Sequence, residues 1–441
     1  MAVCSHLTPF NTRLAQAMKT QRPIVRPSAV STRAAESPED LVQRTPQSPP
    51  IFSKDSTLFG VEIEVPATGD LSANYAQILF EISIMDKLKN CSFGLDSWSQ
   101  NLGYYFQMRD QKRTPSSLKI YVKTDPNVVE ISTSPLSYAQ TESWKDILDS
   151  LIFATSAEIR NRTLVGSSDD QRNRWSGHLN VSWPGLMVAL GKHDAQTLKM
   201  INYMGSTYRL TTAQISQLNM NLILNLYVDL QNHPQLSMGL LGGDVRNATP
   251  LAFGSEQEQN VLREIISKYK RRQFTDTYDL AKALTKAHPS SFGGRYNAPR
   301  FSLLNFENII YPDFQWGYTR GSRIELRGFY SPNSVDEMLA NFRIINGRLN
   351  FLYKLDANEP RVLEFNPPKI DREFIESATM QNFKVEGLTG NLRPEEVASM
   401  YIKYLSEAGL NPKEEYKFIR DPSIRSEVAK KLGVPNLPCV P

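Results

Sequence analysis

Four short stretches of this chain carry residue types that do chemistry. They are Glu62-Ile63-Glu64, Glu130-Ile131-Ser132, His178-Leu179-Asn180-Val181-Ser182 and Arg323-Ile324-Glu325-Leu326-Arg327. Each alternates polar with apolar, and successive side chains of a strand face opposite ways. Glu62 and Glu64 therefore share a face, backed by Val61, Ile63 and Val65. His178, Asn180 and Ser182 share another, as do Arg323, Glu325 and Arg327. Carboxylates crowded on one surface repel each other unless a cation lies among them. The pattern points to a metal-and-phosphate site laid on a sheet. The alternative is a set of half-solvated strands with polar outer faces. Such faces usually draw on Thr, Lys and Gln rather than on Glu-x-Glu, His-x-Asn and Arg-x-Glu-x-Arg.

Magnesium takes oxygen ligands in octahedral geometry, commonly a few carboxylates together with substrate phosphates. Glu62, Glu64, Glu130 and Glu325 supply strand-borne carboxylates, and Asp125 sits at the turn before the Glu130 strand. The spacing from Asp125 to Glu130 brings both to one side only if Pro126-Asn127 resets the alternation. His178 adds one nitrogen, and a mixed oxygen and nitrogen set suits Mg²⁺ or Mn²⁺ better than zinc. Arg320, Arg323 and Arg327 bring guanidinium groups, which bind phosphate oxygens bidentately and stay charged. A metal ligand flanked by phosphate binders suits nucleoside-triphosphate chemistry, where cation and arginine offset developing charge. No Walker A sequence is present, and Gly239-Leu240-Leu241-Gly242-Gly243 reads as a loop after a helix.

The elements that must position these groups are legible in outline. Hydrophobic content of 40% and charged content of 22% are those of a globular chain. A net charge of +4, from 50 basic and 46 acidic residues, gives no footing for nucleic-acid binding. Cys4, Cys91 and Cys439 are far apart, supporting neither a disulfide framework nor a cysteine zinc site. The most apolar run, Leu222–Val228, contains Asn225 and is too short to span a bilayer, so no membrane association is expected.

Residues 1–52 read as a disordered tail, with six prolines from Pro23 to Pro50. Its first acid is Glu36, after Arg13, Lys19, Arg22, Arg26 and Arg33. That bias is also that of an organelle address. Otherwise the expected compartment is the cytoplasm.

Strands are predicted at Thr57–Val65, Leu118–Val122, Val128–Ser132, Trp175–Trp183, Arg300–Ile309 and Ser322–Tyr330. Helices are predicted at Tyr75–Lys89, Ser143–Ile159, Asp194–Tyr203, Thr212–Gln231, Glu256–Arg272 and Ser334–Tyr353, the last capped by Ser334. After Asp356 a proline-marked linker leads to helices at Pro394–Ala408 and Pro422–Leu432. Residues 53–356 thus form the expected catalytic domain, and residues 357–441 a linker with a helical C-terminal extension.

The ordered set Phe59-Gly60-Val61-Glu62-Ile63-Glu64-Val65, Asp125 with Glu130-Ile131-Ser132-Thr133-Ser134-Pro135-Leu136, Gly177-His178-Leu179-Asn180-Val181-Ser182 and Arg323–Arg327 resembles the amidoligase family. That family is related to glutamate–cysteine ligases and glutamine synthetases. The resemblance implies an α+β fold: a glutamine-synthetase-like curved antiparallel sheet with helices on its outer face. It implies Mg²⁺ at Glu62, Glu64, Asp125, Glu130, His178 and Glu325, and ATP near His178, Asn180, Arg320, Arg323 and Arg327. Glu62, Glu64, Glu325 and Arg327 would carry the catalytic roles.

The implied activity is ATP-dependent ligation of a carboxylate to an amine through an acyl phosphate; an amino acid or a peptide is a candidate substrate, and the sequence identifies neither the acid nor the amine. Two departures stand out: Asn180 occupies a position where the family often has a second His, and Asp125 lies in a Lys-Thr-Asp-Pro-Asn turn. An inactive binding or scaffold protein on the same fold, and a metal-dependent phosphotransferase, remain open. The sequence does not set the oligomeric state.

Overall fold

Strand β1 (Leu58–Pro66) follows directly from its alternation. Phe59, Val61, Ile63 and Val65 are at most 3% exposed, while Glu62 and Glu64 lie on the opposite face. Pro66 cannot donate to a ladder and ends it. The computed structural model describes residues 57–66, 94–100, 103–109, 118–125, 128–163, 177–183, 186, 212–234, 236, 248–288, 302–310, 323–328, 332–356, 361–368, 393–419 and 421–438. The predicted tail, the predicted helices Tyr75–Lys89 and Asp194–Tyr203, and Arg320 lie outside them.

The fold is mixed α+β around one antiparallel sheet. The other strands are β2 (Gly94–Gln100), β3 (Gly103–Arg109), β4 (Leu118–Asp125), β5 (Val128–Thr133), β6 (Gly177–Ser182), β7 (Leu304–Asn305) and β8 (Ile324–Leu326). Their spatial order is β2-β3-β4-β5-β1-β6-β8-β7, so the first described strand is an interior one.

The helical run expected at Ser143–Ile159 is present in pieces: α1 (Tyr138–Ser143), α2 (Lys145–Leu148), a π-turn (Asp149–Phe153) and α3 (Ala154–Thr163), which packs on β1. Ser137 caps α1 with a reciprocal bond from Gln140. Three longer or better-defined helices follow: α4 (Thr212–Asn232), α5 (Glu256–Lys270) and α6 (Thr277–Leu284). In α5 the apolar stripe at helical spacing is buried at Leu262, Ile265, Ile266 and Tyr269 and half-buried at Val261. After the short α7 (Glu307–Ile310), α8 (Val335–Asp356) lies against the apolar face of the sheet, where Phe342 stacks on Phe59 at 4.2 Å. Ser334 accepts from the Glu337 N–H as expected, and the Asp149 carboxylate accepts from the Val335 N–H.

Beyond it come α9 (Pro394–Glu407), α10 (Pro412–Glu415) and α11 (Pro422–Leu432). They share the buried core: α9 packs on α8 so closely that Gly347 meets the Ala408 backbone. Among the described residues no helix is long and apolar enough to cross a membrane.

Three expectations need correction. The strand predicted at Arg300–Ile309 is reduced to Leu304–Asn305, because the Asn305 side chain accepts from the Glu307 N–H and starts α7. Of the strand predicted at Ser322–Tyr330, the described residues 323–328 hold a strand at Ile324–Leu326, and Arg327 and Gly328 form a turn. Strands β2 and β3 were not anticipated; Gly94–Gln100 has no run of branched apolar residues to betray it.

Candidate functional site

Register brings the polar residues together. In an antiparallel ladder, residues directly opposite each other stand on the same face. Glu62 pairs with Ser132 on one side and with His178 on the other. Glu64 pairs with Glu130. Asn180 pairs with Glu325, which pairs in turn with Asn305. Glu62, Glu64, Glu130, His178, Asn180, Glu325 and Asn305 thus occupy one face of adjoining strands. Asp125 pairs with Val128, and Lys123 with Glu130. The hairpin resets the alternation, so positions 125 and 130 fall in the same phase of the pleat.

His178 is the hub. Its Nδ1 lies 3.1 Å from Glu62 Oε2 and 3.1 Å from Glu325 Oε1. Its Nε2 is buried, makes no hydrogen bond, and has Glu64 Oε1 at 4.0 Å. Each carboxylate is also held from behind. Asn180 Nδ2 donates to Glu62 Oε1 at 2.9 Å, and Arg323 Nε donates to Asn180 Oδ1 at 2.9 Å. Arg327 Nη1 donates to Glu325 Oε1 at 2.6 Å, and Asn305 Nδ2 donates to Glu325 Oε2 at 3.1 Å.

The electrostatics follow from this crowding. Burial lowers the His178 pKa and so does the Arg327 charge; the carboxylates of Glu325, Glu62 and Glu64 outweigh both and raise it. The imidazole is thus drawn toward the charged form in which it offsets its neighbours. A metal ion would take over that role and require the neutral ring.

The donor set fits a divalent ion. Glu62, His178 and Glu325 each offer a ligand atom, all within 4.8 Å of one another. An ion about 2.1 Å from each donor places neighbouring octahedral donors roughly 3.0 Å apart. The two 3.1 Å separations around Nδ1 match that spacing. Nε2 with Glu64 offers a second point of attachment. If it ligates, Nδ1 donates to a carboxylate, the usual backing of a metal-bound imidazole.

Of the residues singled out in the sequence, Glu62, Glu64, His178, Asn180, Arg323, Glu325 and Arg327 meet in this cluster, and Glu130 is buried beside Glu64 in register. Arg327 reaches Glu325 from the turn rather than from a continuing strand. Asn180 has its amide nitrogen on Glu62 and its oxygen on Arg323, so it links a carboxylate to a guanidinium. Asn305 was missed. Its only trace in the sequence is its place in a segment expected to be a strand, two residues before Glu307. No family model matches the chain, and no curated protein matches it.

Proposed function

We propose that this protein is an ATP- and Mg²⁺-dependent carboxylate–amine ligase. The observation that carries the reading is the meeting of Glu62, His178 and Glu325, from three neighbouring strands, with Arg327 on the same Glu325 carboxylate. Bound there, Mg²⁺ would offset phosphate charge, with Glu62, Glu64, His178 and Glu325 as its holders and Asp125 and Glu130 at the adjoining hairpin. Arg327 and Arg323, with Arg320 from outside the described residues, would bind and orient the ATP phosphates. The substrate carboxylate would attack the γ-phosphoryl group and release ADP, giving an acyl phosphate. The amine would then displace phosphate to form an amide. The largely buried setting of His178, Asn180 and Glu325 would limit the access of water to that acyl phosphate.

The test is to incubate pure protein with ATP, Mg²⁺ and pools of carboxylates and amines, reading ADP release and product mass. Amide formation with stoichiometric ADP is expected. Arg327→Lys keeps the charge but loses the bidentate fork, and turnover should fall about a hundredfold, on the order of 3 kcal/mol. A phosphorylated product without an amide would make the protein a phosphotransferase. Absence of turnover, with no divalent ion raising the melting temperature, would leave a binding or scaffold protein.

A further inference from the structure

Away from the sheet, α4 holds the segment 361–368 in the way a receptor holds a peptide. Asn225 Nδ2 donates to the Arg361 carbonyl at 3.0 Å, and its Oδ1 accepts from the Leu363 N–H at 2.9 Å. Asn232 repeats the arrangement. Its Nδ2 donates to the Glu364 carbonyl at 2.8 Å, and its Oδ1 accepts from the Asn366 N–H at 2.8 Å. Each amide therefore brackets one residue, first Val362 and then Phe365. Those bracketed residues are the buried ones, at 8% and 6% exposure, while Arg361, Glu364 and Asn366 face solvent. The Arg263 guanidinium of α5 lies 5.4 Å from the centre of the Phe365 ring.

The two repeats are commensurate. From Asn225 to Asn232 is two helical turns, roughly 10.5 Å at about 1.5 Å per residue. From Val362 to Phe365 is one three-residue step, roughly 9–10 Å in an extended or polyproline-like chain. Burial with a period of three is that of a polyproline-like segment, not of a strand with its period of two. Asn366 precedes Pro367-Pro368, which biases it to the extended conformation the clamp needs.

An empty clamp would be costly, because a buried amide without partners loses its water and gains nothing. Asn221, one turn before Asn225 on the same side of α4, is in that condition: it is buried, and both its amide atoms lack partners.

We propose that the Asn225/Asn232 side of α4 is a backbone-reading peptide site. Its ligand is an extended segment with apolar anchors three residues apart, and in the folded chain residues 361–368 fill it in cis. Recognition rests on main-chain groups and two anchors, so the exposed positions between them tolerate substitution. The site is independent of the sheet cluster and of the ligase reading.

The test uses the full chain carrying Val362→Ser with Phe365→Ser, which weakens the cis ligand, and a labelled synthetic octapeptide of residues 361–368. Saturable binding to this variant is expected, with much weaker binding to the parent, whose site is filled. Adding Asn232→Ala should weaken peptide binding about tenfold or more, the loss of one paired amide clamp. A peptide with its two anchors moved one residue closer together should not bind. A folded double variant that ignores the octapeptide, or binds it equally with and without Asn232→Ala, overturns the proposal. Should the double variant not fold, amide exchange in the otherwise native chain decides the matter. Asn232→Ala should expose the Asn366 amide while leaving Leu363 protected, and equal exchange at both positions overturns it.

Discussion

Arg348 grips Asp229 at both carboxylate oxygens, with Nη2 to Oδ1 at 2.6 Å and Nε to Oδ2 at 3.1 Å, and both side chains are 1% exposed. The pair joins α8 to α4. Tyr404 of α9 completes it, donating its hydroxyl to Asp229 Oδ2 at 3.1 Å and laying its ring 3.8 Å from the Arg348 guanidinium carbon. A buried ion pair need not stabilise more than a well-packed apolar replacement would, but removing one partner leaves the other charged and buried.

That makes Asp229 the group to follow in acid. Burial pushes its pKa up; the His233 hydrogen bond and the Arg348 charge reverse this and hold it below the ordinary value of 3.8. A depressed carboxylate contributes stability that is present above the unfolded value and lost as pH falls through the folded one. Asp229→Asn should therefore be less stable than the parent near neutrality, by about 1–3 kcal/mol, since Glu407 still accepts from Arg348 Nη1 at 3.0 Å. The gap should narrow below about pH 4 as the parent loses its advantage. Melting temperatures from pH 2.5 to 7 check this, and a gap constant across that range would refute it.

Gly347→Ala sets two effects against each other. Alanine favours the helix by about 1 kcal/mol. Its Cβ would stand 2.6 Å from the Ala408 carbonyl oxygen and 3.0 Å from the Ala408 Cβ, so α8 and α9 would have to part. Overpacking of this kind costs about 1–3 kcal/mol, and the obstructing atom is backbone, so destabilisation wins. A lowered urea midpoint is expected; a raised one would show that the two helices separate freely.

Glu62→Gln keeps an acceptor for Asn180 but removes a charge from the cluster. The ion-free protein should change little in stability, because relief of carboxylate repulsion is set against loss of the charged contact with His178 at 3.1 Å. Its response to Mn²⁺ should vanish. In the parent, an ion at a hundred times its dissociation constant adds about 2.7 kcal/mol. Thermal melts with and without Mn²⁺ measure both, and an undiminished shift in the variant would place the ion elsewhere.

Asn305→Leu deletes the donor to Glu325 and the acceptor for the Glu307 N–H while nearly preserving volume. Leaving the buried Glu325 oxygen and the part-buried Glu307 N–H unmet should cost about 1–3 kcal/mol. The Mn²⁺ response should also weaken, since Glu325 Oε2 loses the bond that fixes its plane. Stability loss with an unaltered Mn²⁺ response would confine Asn305 to capping α7.

What the sequence disclosed depended on whether a pattern was local. Strand β1 was legible because its alternation is unbroken up to Pro66. Helix α11 was legible because every signal agrees: the Asp421 side chain caps it, Pro422 opens it, and Gly433 closes it at φ 64°. Glu62, His178 and Glu325 stood out as residue types on strand faces, but their adjacency depends on register between strands, which no short window contains.

Asn225 and Asn305 were illegible for a related reason. Asn225 is a blemish in the apolar run Leu222–Val228, and Asn305, between Leu303-Leu304 and Phe306, gives no sign of the strand partner it meets. The partners that explain them are Arg361 and Leu363 in one case and Glu325 in the other.

The interior position of β1 also has a consequence for how the molecule is made. Among the described strands β1 leaves the ribosome first, yet its neighbour β6 begins at Gly177, and β8, which carries Glu325, begins at Ile324. Pairings across such separations close large loops, which slows folding relative to local contacts. Until Gly177–Ser182 is made, Glu62 and Glu64 lack His178, and until Ile324–Leu326 is made they lack Glu325. The acidic face is thus assembled late, and a chain interrupted before Ile324 lacks the strand that supplies its third carboxylate-bearing side.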